Sequence, residues 1–136
     1  MKIFFVKAKT EHFKKIQLQD EQMSEAIFCN NVTDDMFSFV DVNNNVYAIF
    51  RFVEMWKDRV LVSAFIGRNS GKVMLQIVRI LNMLYKANTP VRLEAEVLVG
   101  FSKGEKFLKI FGFHKEAVLE KYYNNKDYSL WVKIKE

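Results

Sequence analysis

The chain has 136 residues, half of them apolar, with 21 Lys and Arg against 16 Asp and Glu, a net charge of +5. That length suits one domain over 1–136 with a real core, and 13 Phe beside 1 Pro and 5 Gly exclude a disordered or linker-like chain. The single Cys29 excludes an intrachain disulfide, fits a reducing compartment, and reads as a small buried hydrophobe. The start MKIFFVKAKT is too short and too charged for a signal peptide, and no run approaches a membrane span, so a cytoplasmic location is expected. The lysines (Lys7, Lys9, Lys14, Lys15, then Lys103, Lys106, Lys109) are spaced as a solvated helix face is, although a basic rim would also attract phosphates.

Taken in order, Lys2–Ala8 alternates as a strand, with Phe4 and Val6 on one face. Thr10 is placed to cap a helix through Gln17 that turns Phe13 and Ile16 inward, and a second short helix from Asp20 carries Met23, Ala26 and Ile27. Met36–Val42 and Val46–Val53 flank Asn43-Asn44-Asn45, a hairpin signal because Asn tolerates positive φ. The second of these strands is apolar on both faces and is expected to be central. Arg59–Ile66 is the next antiparallel strand. From Ser70 to about Lys86, Val73, Ile77, Ile80, Leu81 and Leu84 form one helical stripe, which Asn88-Thr89-Pro90 ends. Val91–Leu98 is then a strand parallel to Arg59–Ile66, because a strand–helix–strand crossover of this length reverses twice. A helix within Phe101–Phe113 stops at Gly112, and His114–Tyr123 with Asp127–Lys135 close the chain as a hairpin turned at Asn124-Asn125-Lys126. The sum is an α/β sandwich: one mixed, mostly antiparallel sheet of seven strands with about four helices.

Residues 61–73, Leu-Val-Ser-Ala-Phe-Ile-Gly-Arg-Asn-Ser-Gly-Lys-Val, run from a buried strand through a glycine turn into the long helix. Such a junction aims backbone N–H groups and the positive end of a helix dipole at one spot, which suits a phosphate. The spacing Arg68-x-x-Gly71-x-Val73 resembles the pyrophosphate loop of the GNAT N-acetyltransferases, Gln/Arg-x-x-Gly-x-Gly/Ala. A second block, FSKGEKFLKIFGF from Phe101 to Phe113, is similar to the fourth GNAT helix through Phe107, Phe111, Gly112 and Phe113. The resemblance covers about residues 35–135. It implies a GNAT fold with acetyl-coenzyme A on Phe65, Ile66, Gly67, Arg68, Asn69, Ser70, Gly71, Lys72 and Val73, parallel strands that separate toward their C-terminal ends, and transfer of acetyl to an amine. The departures fall at the chemistry: Leu108 stands where many members have the Tyr that protonates the leaving thiolate, Phe101 where Asn is usual, and Val73 where Gly or Ala is usual.

For a base, Glu94 and Glu96 share one face of Arg92-Leu-Glu-Ala-Glu-Val, and partial burial would raise a carboxylate pKa toward that task. The competing reading puts both on a solvated or salt-bridged face, with Arg92 as partner. Ser63 and Tyr85 are weaker candidates. Neither His12 nor His114 has metal-ligand spacing, and Trp56 and Trp131 read as core or rim anchors. Gly67-Arg-Asn-Ser-Gly71-Lys72 is one residue short of a P-loop and lacks its hydroxyl, since Val73 follows. No aromatic–basic RNA motif is present. The size, the Phe-Leu-Lys-x-x-Gly helix and the missing Tyr also resemble small acetyltransferase-like proteins of tailed phages. That resemblance implies an alternative, an inactive scaffold meeting a virion or host partner.

Overall fold

A computed structural model of the chain describes residues 1–23, 32–88 and 90–135. Seven strands form one sheet: β1 (Phe4–Lys7), β2 (Met36–Val40), β3 (Val46–Trp56), β4 (Arg59–Ile66), β5 (Arg92–Leu98), β6 (His114–Tyr123) and β7 (Lys126–Ile134), in the order β1-β2-β3-β4-β5-β7-β6. Three α-helices occur among the described residues: α1 (Thr10–Lys15), α2 (Met74–Asn88) and α3 (Ser102–Ile110). The helix expected from Asp20 opens as a 3-10 turn over Asp20–Gln22, and Met23 is exposed rather than part of an apolar stripe. Ala26, Ile27, Cys29 and Thr89 lie outside the described residues. By contact the chain divides into two compact units, Met1–Phe52 with Ala64–Leu81, and Val53–Ser63 with Asn82–Glu136.

In the first unit, β1 pairs with β2 and β2 with β3, all antiparallel. The Asn signal acts as expected, with Asn44 at φ 60° in the β2–β3 connection. Asp41 completes that turn by accepting hydrogen bonds from the Asn43 and Asn45 N–H groups, the Asn45 amide and the Tyr47 hydroxyl, each at 2.9 Å. Those donors, Asn45 first, hold its carboxyl down at a pKa of about 2. Val46 to Phe50 are all buried, so both faces of β3 are covered, as a central strand requires. Phe5, Phe37, Phe39 and Phe50 pack ring against ring across β1–β3 at separations of 4.8 to 5.5 Å, stacked for Phe5–Phe37, tilted for Phe5–Phe39 and edge-on for Phe39–Phe50. α1 begins one residue earlier than the Thr10 cap anticipates. Lys9 is the N-cap, and the buried His12 ring caps it by accepting the Lys9 N–H on Nδ1 at 3.0 Å, with Ser38 Oγ at 2.8 Å from the same nitrogen. Phe13 and Ile16 do turn inward against Phe65.

In the second unit, β5 is the hub. It runs parallel to β4 in a register from Arg59 opposite Arg92 to Val62 opposite Ala95, and antiparallel to β7 along its whole length. β6 then pairs with β7 through a turn in which Asn124 and Asn125 both have positive φ, 50° and 57°. α3 stops where Gly112 takes φ 94°, with the Gly112 N–H on the Lys109 carbonyl at 3.0 Å and the Phe113 N–H on the Leu108 carbonyl at 2.9 Å. These are the two bonds of a Schellman cap. Lys133 Nζ reinforces it by donating to the Phe111 carbonyl at 2.8 Å, between the rings of Tyr85 and Phe111. Trp131 is a core residue, whereas Trp56 is 76% exposed and anchors nothing within the chain's core.

Candidate functional site

The turn that follows β4 is built around two glycines with different duties. The Gly67 N–H donates to the Tyr47 carbonyl at 2.8 Å, which brings the backbone so close that a Cβ on Gly67 would stand 2.6 Å from Asn69 Oδ1 and 2.9 Å from the Tyr47 oxygen. Only glycine fits there. The Ser70 N–H then returns to the Gly67 carbonyl at 3.1 Å, Ser70–Val73 forms a 3-10 turn, and α2 continues from Met74. Gly71 is exposed, lies outside the left-handed region, and has no atom within 4 Å of where a Cβ would be. Nothing in the fold requires glycine at 71, and its missing side chain leaves the outer surface of the turn open. Val73 is 1% exposed, so its branched side chain points into the core rather than over the turn.

The charged and polar groups of the turn are partly engaged. The Arg68 N–H donates to the Gln17 carbonyl and its Nε to the Leu18 carbonyl, both at 2.7 Å, while its guanidinium pairs with Asp20. Arg68 thus ties the turn to segment 17–20, and its charge already has a carboxylate partner. Lys72 Nζ lies 5.7 Å over the Tyr47 ring. Asn69 Oδ1 is a buried acceptor without a partner among the described residues, the kind of atom that marks an incomplete polar site. Phe65 and Ser70 are buried. Ile66 donates its N–H to Gln22 Oε1 at 3.2 Å, and Gln22 Nε2 donates to the Ala64 carbonyl at 2.7 Å. Sequence reasoning missed Gln22; a polar residue in a helix start gives no hint that its amide will serve a strand forty residues away.

The two β5 carboxylates have different surroundings. Glu94 is buried and receives Arg59 through Nε and Nη2, the latter at 3.3 Å, and Arg92 Nε at 3.3 Å; Arg92 also reaches Glu116 at 3.1 Å. The raised pKa expected of a base is therefore reversed at Glu94: the Arg59 hydrogen bond, then the two guanidinium charges, outweigh desolvation and hold it below the ordinary value of 4.5. The salt-bridged reading, with Arg92 as a partner, describes this residue. Glu96 is half-buried and accepts a hydrogen bond from the Tyr122 hydroxyl at 2.8 Å. Ser63 is exposed, and the Tyr85 ring is occupied by Lys133. Phe101 and Leu108, the two apolar substitutions on α3, are both buried, and the Phe101 ring packs so tightly on Gly104 that a Cβ there would meet it at 2.9 Å. Among the described residues, no cluster of His, Cys, Asp and Glu is arranged to hold a metal ion, and no helix is long and apolar enough to cross a membrane.

No family model and no curated protein matches the sequence. Solved structures do match the fold. A GNAT-family acetyltransferase from Bacillus anthracis superposes with a TM-score of 0.74 over 98% of this chain and 95% of its own, at 12% identity. This chain has the GNAT fold. A spermidine N-acetyltransferase chimera from Vibrio cholerae superposes at 0.71, covering 98% and 96% of the two chains at 13% identity. The ribosomal-protein-S5-alanine acetyltransferase of Vibrio fischeri superposes at 0.66, covering 97% and 92% at 16% identity. At these identities the likeness is one of backbone architecture.

Proposed function

We propose that the chain is an acetyl-coenzyme A-dependent N-acetyltransferase that binds the coenzyme on the turn from Phe65 to Val73. The observation that carries this reading is Gly71: an exposed glycine that the fold does not need, in a turn that opens a helix, leaves the outer backbone of that turn uncovered where a side chain would screen it. The Gly71 and Lys72 N–H groups head the helix, where a pyrophosphate gains both hydrogen bonds and the favourable end of the dipole. Lys72 adds a cation. Arg68 serves by fixing the turn to segment 17–20 rather than as a free charge.

Bound acetyl-coenzyme A supplies the activated acetyl group as a thioester. β4 and β5 are paired from Arg59 and Arg92 to Val62 and Ala95, and in this reading an extended ligand pairs with backbone groups of β5 beyond that register as an added strand would. Glu96 takes the proton that the acceptor's ammonium group must lose before the amine lone pair can attack. Glu94 keeps Arg59 and Arg92 in place instead. With Leu108 in the core, no tyrosine at that α3 position protonates the departing thiolate, which leaves as the anion or takes its proton from water. Proton donation by a placed side chain is worth about 10²–10⁴-fold, so the enzyme is a slow one. The spermidine acetyltransferase of the same fold favours small polyamines and other primary amines as the first acceptors to try.

The buried Phe101 and Leu108 favour one other reading, a catalytically inactive GNAT-fold scaffold with a virion or host protein partner. Thiol release from acetyl-coenzyme A with a panel of primary amines separates the two. Acceptor-dependent release above background is the result expected here, and binding of coenzyme A without release is the scaffold's.

A further inference from the structure

We infer that Tyr122 and Glu96 act as one proton-accepting pair, in which the Tyr122 hydroxyl meets the acceptor amine and Glu96 stores the proton. The inference rests on the acyl-transfer reading above. Its basis is a feature of the β6–β7 hairpin that pairing alone does not explain. β6 loses register with β7 between Leu119 and Tyr123, and inside that irregularity Lys121 adopts φ 46°, a conformation that L side chains rarely take. The Asp127 carboxylate pins it by accepting the Lys121 N–H at 2.9 Å. A bulge re-aims the side chain that follows it. Here that side chain is Tyr122, whose hydroxyl reaches past β7 to donate to Glu96 Oε1 on β5 at 2.8 Å.

The placement assigns the two roles. Tyr122 is 51% exposed and Glu96 half-buried, so the tyrosine is the more accessible member of the pair to an incoming amine. The Tyr122 ring leans on Tyr128 at 6.0 Å, which limits its swing. Its hydrogen bond to Glu96, then burial, then the Glu96 and Glu94 charges push the phenol above its ordinary pKa, so it remains protonated and keeps donating to the carboxylate. Besides Glu96, the charge of Glu94, itself paired with Arg59 and Arg92, acts on the Tyr122 phenol. The transfer balances. As the ammonium proton moves to Tyr122 Oη, the Tyr122 proton moves to Glu96 Oε1, the amine gains its lone pair, and the pair changes from carboxylate plus phenol to carboxylic acid plus phenol. Water later takes the proton back by the reverse route.

Tyr122→Phe, Glu96→Gln and the double variant test this in two ways. Without any ligand, the ultraviolet difference titration of wild type against Tyr122→Phe isolates one phenol. It should ionise above the ordinary tyrosine range in wild type and at lower pH once Glu96→Gln removes the charge. With acetyl-coenzyme A and a primary amine, each single variant should lose at least about tenfold in kcat, and the double variant should be no slower than the slower single, as residues acting as a unit behave. An unshifted phenol in Glu96→Gln, or wild-type turnover in Tyr122→Phe, overturns the pair while leaving acyl transfer intact. A wild type without turnover overturns the acyl-transfer reading and this role together.

Discussion

Glu94→Gln separates the ion-paired carboxylate of β5 from Glu96, the proposed base. The Glu94 side chain is 6% exposed, but its partners are open to water, Arg59 at 49% and Arg92 at 29%. Removing one member of a fully buried ion pair costs about 3–5 kcal/mol, while an exposed pair contributes about 0–1 kcal/mol. With the carboxylate buried and the guanidinium groups half out, Glu94→Gln should cost about 1–3 kcal/mol, between those limits. Glutamine keeps one acceptor oxygen and turns its amide N–H groups toward guanidinium donors, so part of the loss is donor facing donor. Urea unfolding followed by circular dichroism measures it. The pH dependence has a definite sign. The folded-state pKa of Glu94 lies below 4.5, so the unfolded chain binds the proton first; the contribution is full above that pH and is lost as pH falls through the folded value. Wild type and variant should therefore converge in acid. Acetyl transfer should persist in the variant, because Glu94 takes no proton from the acceptor. A Glu94→Gln protein of unchanged stability that has lost turnover would refute this division of roles.

Two further outcomes follow from the same structure. Gly67→Ala should destabilise the fold, since the new methyl meets the Tyr47 carbonyl at 2.9 Å, whereas Gly71→Leu should move stability by no more than about 0.5 kcal/mol and weaken coenzyme A binding at least tenfold; thermal melts and calorimetry of both variants check the pair. Burial lowers the pKa of His12 below 6.5, so the unfolded chain protonates first and His12 withdraws stability as pH drops from 6.5 through its folded value; urea midpoints between pH 7.5 and 5 should fall in wild type and fall less in His12→Gln, and parallel curves would contradict it.

Much of the architecture was legible because it rests on short-range rules. The apolar run Val46–Val53 announced a strand covered on both faces, and the stripe Val73, Ile77, Ile80, Leu81 and Leu84 announced the long helix, with Val73, Ile77 and Leu81 buried and Ile80 and Leu84 half-buried. Asn44, Asn124 and Asn125 marked turns through positive φ, and Gly112 marked a helix stop. What escaped depends on partners far apart in sequence. Nothing near Glu94 says that Arg59 will lie beside it, and that pairing inverts the pKa argument. The duty of Arg68 was read as charge for a phosphate, while the fold spends its guanidinium on Leu18 and Asp20. Tyr122 was invisible because a bulge at Lys121, not strand alternation, sets its direction. Trp56 shows the reverse error: a large aromatic suggests an anchor, but at the end of β3 it stays in solvent.

The central claim is that the Gly67–Val73 turn holds the pyrophosphate of coenzyme A. Calorimetric titration of the wild-type chain with coenzyme A, at low and at physiological salt, tests it most directly. The account predicts a saturable one-to-one isotherm that weakens as salt rises and weakens at least tenfold in Gly71→Leu. No binding heat at millimolar coenzyme A, or an isotherm indifferent to Gly71→Leu, would contradict it.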